Sequence, residues 1–120
     1  MKDFRTLSVW QKAPDLTVVI YKQTVSFPRE ELFGLTSQIR RASSSIGANI
    51  AEGCGRNTDA DFSRFLHIAF GSANELDCHL MLARDLELIE KTKYEILNER
   101  LFEVKKILGS LIRKINSDRS

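Results

Sequence analysis

The sequence predicts an all-α protein, a single antiparallel four-helix bundle running up-down-up-down. Three observations carry that prediction. Apolar and small residues recur by threes and fours over long stretches: Leu32, Leu35, Ile39, Ala42, Ile46, Asn49 and Gly53 in one, and Tyr94, Leu97, Leu101, Val104, Leu108, Leu111 and Ile115 in another. That spacing keeps one stripe facing a partner helix. No long alternating pattern of the strand type interrupts them. The connections are short and rich in helix stops and starts, so sequence neighbours pack antiparallel.

The elements follow in order, over about 8–26, 28–53, 58–89 and 92–117, in one domain covering 1–120. Ser8 with Gln11 fits a capping box, and Trp10, Ala13, Thr17, Ile20 (or Tyr21) and Thr24 form the stripe of the first helix. Pro14 lies inside it. Proline lacks the N–H that would bond the carbonyl of Trp10, so a kink near Trp10 to Ala13 is expected, or a break with the main helix starting near Pro14. Phe27-Pro28 ends this helix, and Pro28 suits the first position of the next, with Glu30 and Glu31 in its first turn.

The second helix is the most informative stretch. Its seam is small and apolar except for Asn49, and a lone Asn on such a seam costs stability while fixing register. Gly47 in mid-helix costs about 1 kcal/mol against Ala, which makes sense where another helix comes close. Gly53 and Gly55 stop the helix. Thr58 with Asp61 and Thr92 with Glu95 are further capping boxes. The third helix carries Phe62, Phe65, Leu66, Ala69, Phe70, Ala73, Leu76, Leu80 and Ala83. Arg113 and Lys114 suit the C-terminal turns of the fourth.

Composition sets limits on function. A chain of 120 residues with 42% apolar and 28% charged side chains is long enough for a core of its own and too apolar for a disordered chain. A net charge of +2 is too small to imply nucleic-acid binding. Two cysteines, Cys54 and Cys78, make no disulfide framework, and no signal-like or membrane-spanning run is present, so a cytoplasmic protein with no membrane partner is expected. Chemistry is equally sparse. Glu75 is followed by Cys78 at plus three, where a bundle di-iron site needs His, and only His79 at plus four remains. Ser43, Ser44 and Ser45 have no His nearby on their helix, and Gly53-x-Gly55 lacks the Lys-Ser/Thr of a phosphate loop. The expectation is no catalysis, no metal, no cofactor and no small-molecule substrate.

Two polar groupings stand out. Counting outward from the turn at Cys54 to Asn57 places Arg41 near Ser72 and within reach of Glu75, and Asn49 near Phe62 to Phe65. Arg41, Asn49, Glu52, Ser72 and Glu75 read either as a ligand or partner site or, as expected here, as a structural polar layer that fixes helix register, with Arg41 largely buried and bonded to Glu75, or to Ser72 with Glu75 close by. Breaking a buried pair of that kind costs about 3–5 kcal/mol. Lys105, Lys106, Arg113, Lys114 and Arg119 form a basic run on the last helix, either a solvated face or a docking patch.

The combination Leu7-x-x-Trp10-x-x-Ala13, Phe27-Pro28, GLTSQIRRA over 34–42, NIAEG over 49–53 and FLxIAxGSAxEL over 65–76 resembles the bacterial four-helix bundle proteins encoded within intervening sequences of 23S ribosomal RNA. The match covers nearly the whole chain, with Pro14 and the Ser43–Ser45 run the least typical positions. A distant relative of that family is the accessory variability protein of diversity-generating retroelements, which pairs with a reverse transcriptase and binds RNA. The resemblance implies a homo-oligomer, with a pentameric ring favoured, no enzyme activity, and RNA or a reverse transcriptase as candidate partners. Phe33, off the main seam, and the broad face of Phe62, Phe65, Leu66 and Phe70 add support for an oligomer. Five chains at +2 each would total about +10 over a shared surface, with Lys105, Lys106, Arg113 and Lys114 as the nucleic-acid-binding residues. The other reading is a structural protein–protein interaction module with no nucleic-acid partner.

Overall fold

A computed structural model describes residues 3–119, with side chains for 3–118. The described residues form four helices and no strand: α1 (Ser8–Thr24), α2 (Leu35–Cys54), α3 (Asp59–Asp85) and α4 (Lys91–Arg119), with single 3-10 turns at Phe4–Thr6 and Arg29–Glu31. α1 packs on α2 and α4, and α3 packs on the same two, which is the up-down-up-down ring. The body is a rod of 47 × 23 × 20 Å, as helices of this length rising about 1.5 Å per residue require.

Helix ends differ from the sequence-based expectation in informative ways. Ser8 is the first residue of α1 rather than its cap; Leu7 holds the cap position without a side-chain bond, and the Gln11 amide donates to the Arg5 carbonyl instead. α1 runs through Pro14 unbroken. The second helix begins late. Pro28 leads into one turn of 3-10 helix, Gly34 adopts non-helical φ −109° and ψ −112°, and α2 starts at Leu35. Glu31 caps that start, its carboxylate accepting from the Leu35 N–H at 3.1 Å, where an anion also meets the positive end of the helix dipole. Leu32 therefore leaves the seam and stays 45% exposed.

Thr58 caps α3 by accepting from the Asp61 N–H at 3.1 Å. α3 stops at Asp85, four residues before the predicted end. Leu88 N–H bonds the Ala83 carbonyl, Glu87 N–H bonds the Arg84 carbonyl, and Glu87 takes φ 60°. This is a Schellman end with a non-glycine in the left-handed position. α4 begins at Lys91, so Thr92 lies inside its first turn and does not cap it.

The core is a continuous column from all four helices: Val9, Ala13, Leu16 and Ile20 from α1, Ile39, Ile46 and Ile50 from α2, Leu66, Ala69, Ala73, Leu76 and Leu80 from α3, and Leu97, Leu101, Val104 and Leu108 from α4. Val9 and Leu16 take the core places that the stripe through Trp10 and Thr17 predicted, because α1 is rotated by about one residue. Its half-buried Trp10 and Thr17 flank α2 instead. Phe62, Phe65 and Leu66 belong to this molecule's own interior, and only Phe70 of that set stays half-buried.

Candidate interaction faces

The polar groups on α2 and α3 do not make the buried layer that the sequence suggested. Arg41 is 68% exposed; its Nη2 lies 3.9 Å from Glu75 Oε2 and also meets the Gln38 amide oxygen. Glu75 shares that oxygen with His79 Nε2 at 3.4 Å. Arg41 sits on the outer side of α2, where its long side chain reaches over the helix crossing to Glu75 through water-exposed space. Half-buried small polar residues bridge the two helices instead. Ser45 Oγ lies 2.9 Å from Ser72 Oγ, and Asn49 donates to both the carbonyl and the hydroxyl of Ser45 at 2.9 Å. Asn49 thus orients the serine that bridges to α3. Glu52 lies apart from this group, paired with Arg56 at 2.9 Å at the end of the helix. On the other side of α2, Ser43 Oγ donates to Thr17 Oγ1 at 2.8 Å, tying α2 to α1.

The basic residues of α4 divide by face. Lys105 turns inward between α3 and α4, its Nζ 3.2 Å from Asp77 Oδ2 and 6.0 Å from the Phe70 ring centre. Lys106, Arg113 and Lys114 are exposed and form no ion pair among the described residues; Arg113 donates to Ser110 Oγ at 3.2 Å. Lys106 and Arg113 are seven residues apart, so they share one outer stripe. Glu103 is drawn off to Lys12 of α1 at 2.9 Å, leaving Glu99 as the acidic residue nearest that stripe. The side chain of Arg119 lies outside the described residues.

The most conspicuous surface is one that sequence periodicity underrates, the outer face of α1 and α2. A cleft of about 460 Å³ is lined by Phe4, Trp10, Pro14, Val18, Gly47 and Ala48, among others. It adjoins, at Ser44, a second of about 500 Å³ that includes Tyr21, Leu32, Phe33, Thr36 and Arg40. A third of about 220 Å³ continues past Leu32 to Val25 and Phe27. Along this face Val18, Tyr21, Val25, Leu32 and Phe33 are exposed, Phe33 at 92%. The signal was present in the sequence as Phe33 off the seam and as the mid-helix Gly47, which the structure sets against Trp10 and Pro14.

Arg40 lies in the floor of the second cleft. Its Nε donates to Thr24 Oγ1 at 2.9 Å, and the guanidinium stands 4.7 Å from the Tyr21 ring centre. It is half-buried and has no carboxylate partner among the described residues. The Thr36 hydroxyl beside it is buried and makes no hydrogen bond. At the same end of the rod, Arg84 is held above its usual pKa by the hydrogen bond to Asp85, against the opposing effect of desolvation. No group of three or more metal-ligating side chains converges among the described residues, and no described helix is long and apolar enough to cross a membrane.

Comparison with known proteins gives two findings. The sequence model of the 23S rRNA-intervening sequence protein family matches residues 5–110. A solved structure from Bacteroides thetaiotaomicron, a protein of unknown function from the S23 ribosomal protein family, superposes with a TM-score of 0.79 at 36% sequence identity. The match covers 87% of this chain and 97% of that one. Among curated proteins none matches.

Proposed function

The chain belongs to the 23S rRNA-intervening sequence protein family, and on that premise we propose that it is a non-enzymatic interaction protein that assembles with copies of itself through the outer face of α1 and α2. One observation carries this reading: the three adjoining clefts from Trp10 to Phe33, with five large apolar side chains exposed along them. A contiguous apolar face of this kind is uncommon on a monomer and marks an interaction surface. Family resemblance favours five copies in a closed ring, in which each subunit presents the same pair of faces to its neighbours. Sedimentation velocity at micromolar concentration tests it. A single species at five chain masses is the expected result, and a monomer mass overturns the reading.

RNA binding, alone or as an accessory to a reverse transcriptase, is the second reading. It is favoured by Lys106, Arg113 and Lys114, which point outward without a carboxylate partner among the described residues. In a ring these cations would repeat around one surface and attract phosphates with little sequence preference. Lys105 contributes little to that surface, since Asp77 holds it.

A further inference from the structure

Two opposite charges at one end of the rod have no ion-pair partner among the described residues. Arg40 is half-buried in the α1–α2 cleft with no carboxylate against it among the described residues, although a half-buried guanidinium gains most from one. Beside it are the unbonded Thr36 hydroxyl and the exposed ring of Phe33. On the other flank of α1, the α3–α4 turn carries Glu87. Its carboxylate makes no ion pair among the described residues, and its backbone is held rigidly in the left-handed conformation by the Schellman bonds. Leu86, the residue before it, is 53% exposed. Glu87 lines a cleft with Gln23 and Ser26, next to the C-terminal end of α1, while Arg40 binds Thr24 and Tyr21 at that same end. The cation and the anion therefore stand at one level of the rod, on two faces that flank a single helix.

We propose that these two faces meet between copies: the α3–α4 turn of one subunit docks in the α1–α2 cleft of the next, with Glu87 on Arg40 and Leu86 on Phe33. The inference rests on the self-assembly reading above and names its contact. Charge complementarity argues for a second copy of this chain, since each face carries the charge that the other lacks and both carry an exposed apolar side chain beside it. The contact is head-to-tail, because the two faces differ, and a head-to-tail contact between parallel rods generates a ring when the rotation closes.

The test is a charge-swap series on the full chain, followed by native mass spectrometry and sedimentation velocity, with circular dichroism to confirm the fold. Arg40→Glu and Glu87→Lys should each shift the oligomer to monomer, and the double variant should restore it. Glu87→Lys lies on an exposed turn and keeps the test informative if Arg40→Glu fails to fold. An oligomeric wild type whose mass survives Glu87→Lys overturns this contact while self-assembly stands, and so does a double variant that fails to recover. A monomeric wild type overturns both.

Discussion

Gly53 presents its bare α-carbon to Phe65: a Cβ at position 53 would stand 2.9 Å from Phe65 Cβ, 3.0 Å from Phe62 Cδ1 and 3.3 Å from the Phe62 carbonyl oxygen. Two of those three atoms are backbone or directly attached to it and cannot swing aside. Gly53→Ala should therefore push α2 and α3 apart at their turn and destabilise the fold by about 1–3 kcal/mol, the usual cost of overpacking. A urea titration that gave an unchanged midpoint would mean the two helices can part there freely.

Gly71 is the opposite case. Nothing lies within 4 Å of its would-be Cβ, and it sits in the middle of α3. Gly71→Ala should stabilise by about 1 kcal/mol through helix propensity alone. Measuring both glycine variants in one denaturant series separates packing from propensity.

Arg41→Ala should change stability by no more than about 1 kcal/mol, since an exposed pair at 3.9 Å is screened and costs little to break. A loss of several kcal/mol in thermal or chemical unfolding would restore the buried-layer expectation. Ser72→Ala should cost more than Arg41→Ala, because it strips the half-buried Ser45 of its partner across the helix pair.

Glu87 occupies φ 60° at the end of α3. A left-handed residue with a Cβ costs about 1–2 kcal/mol, partly offset because glycine is freer when unfolded. Glu87→Gly should then raise stability by up to about 1 kcal/mol, seen as a later unfolding midpoint. If Glu87 also docks in the neighbour's cleft, the same variant should weaken assembly while strengthening the subunit.

If RNA is a partner, replacing Lys106 and Arg113 together by Glu should weaken retention in filter binding. The salt dependence should become shallower by about one unit of slope for each phosphate that is no longer neutralised. Lys105→Gln should act mainly on stability, by breaking the Asp77 pair. Retention that ignores the Lys106 and Arg113 change, or is missing at low salt, leaves the interaction-module reading.

The sequence by itself determined the four helices and their order. A three-and-four spacing admits one buried stripe per helix, and short connections leave antiparallel neighbours as the compact arrangement. It also placed α2 against α3 to within about one turn, because counting from a tight turn at a fixed rise per residue locates partners along both helices: the count put Arg41 at Ser72, but Ser72 meets Ser45 and Arg41 lies one turn further out, beside Glu75. Tertiary structure alone decided how far each side chain is sunk. Rotation of α1 by about one residue sends Leu16 inward and leaves Trp10 in the groove, a difference that periodicity cannot resolve for a wide apolar face. The late start of α2 depends on the backbone of Gly34 and the reach of the Glu31 carboxylate, and it is this start that leaves Leu32 and Phe33 exposed. The burial of Phe62 and Phe65 follows from the close approach at Gly53, which brings α3 over α2 and closes that face. Stripe spacing fixes which residues share a face, but only the packing of neighbours fixes whether water remains above it.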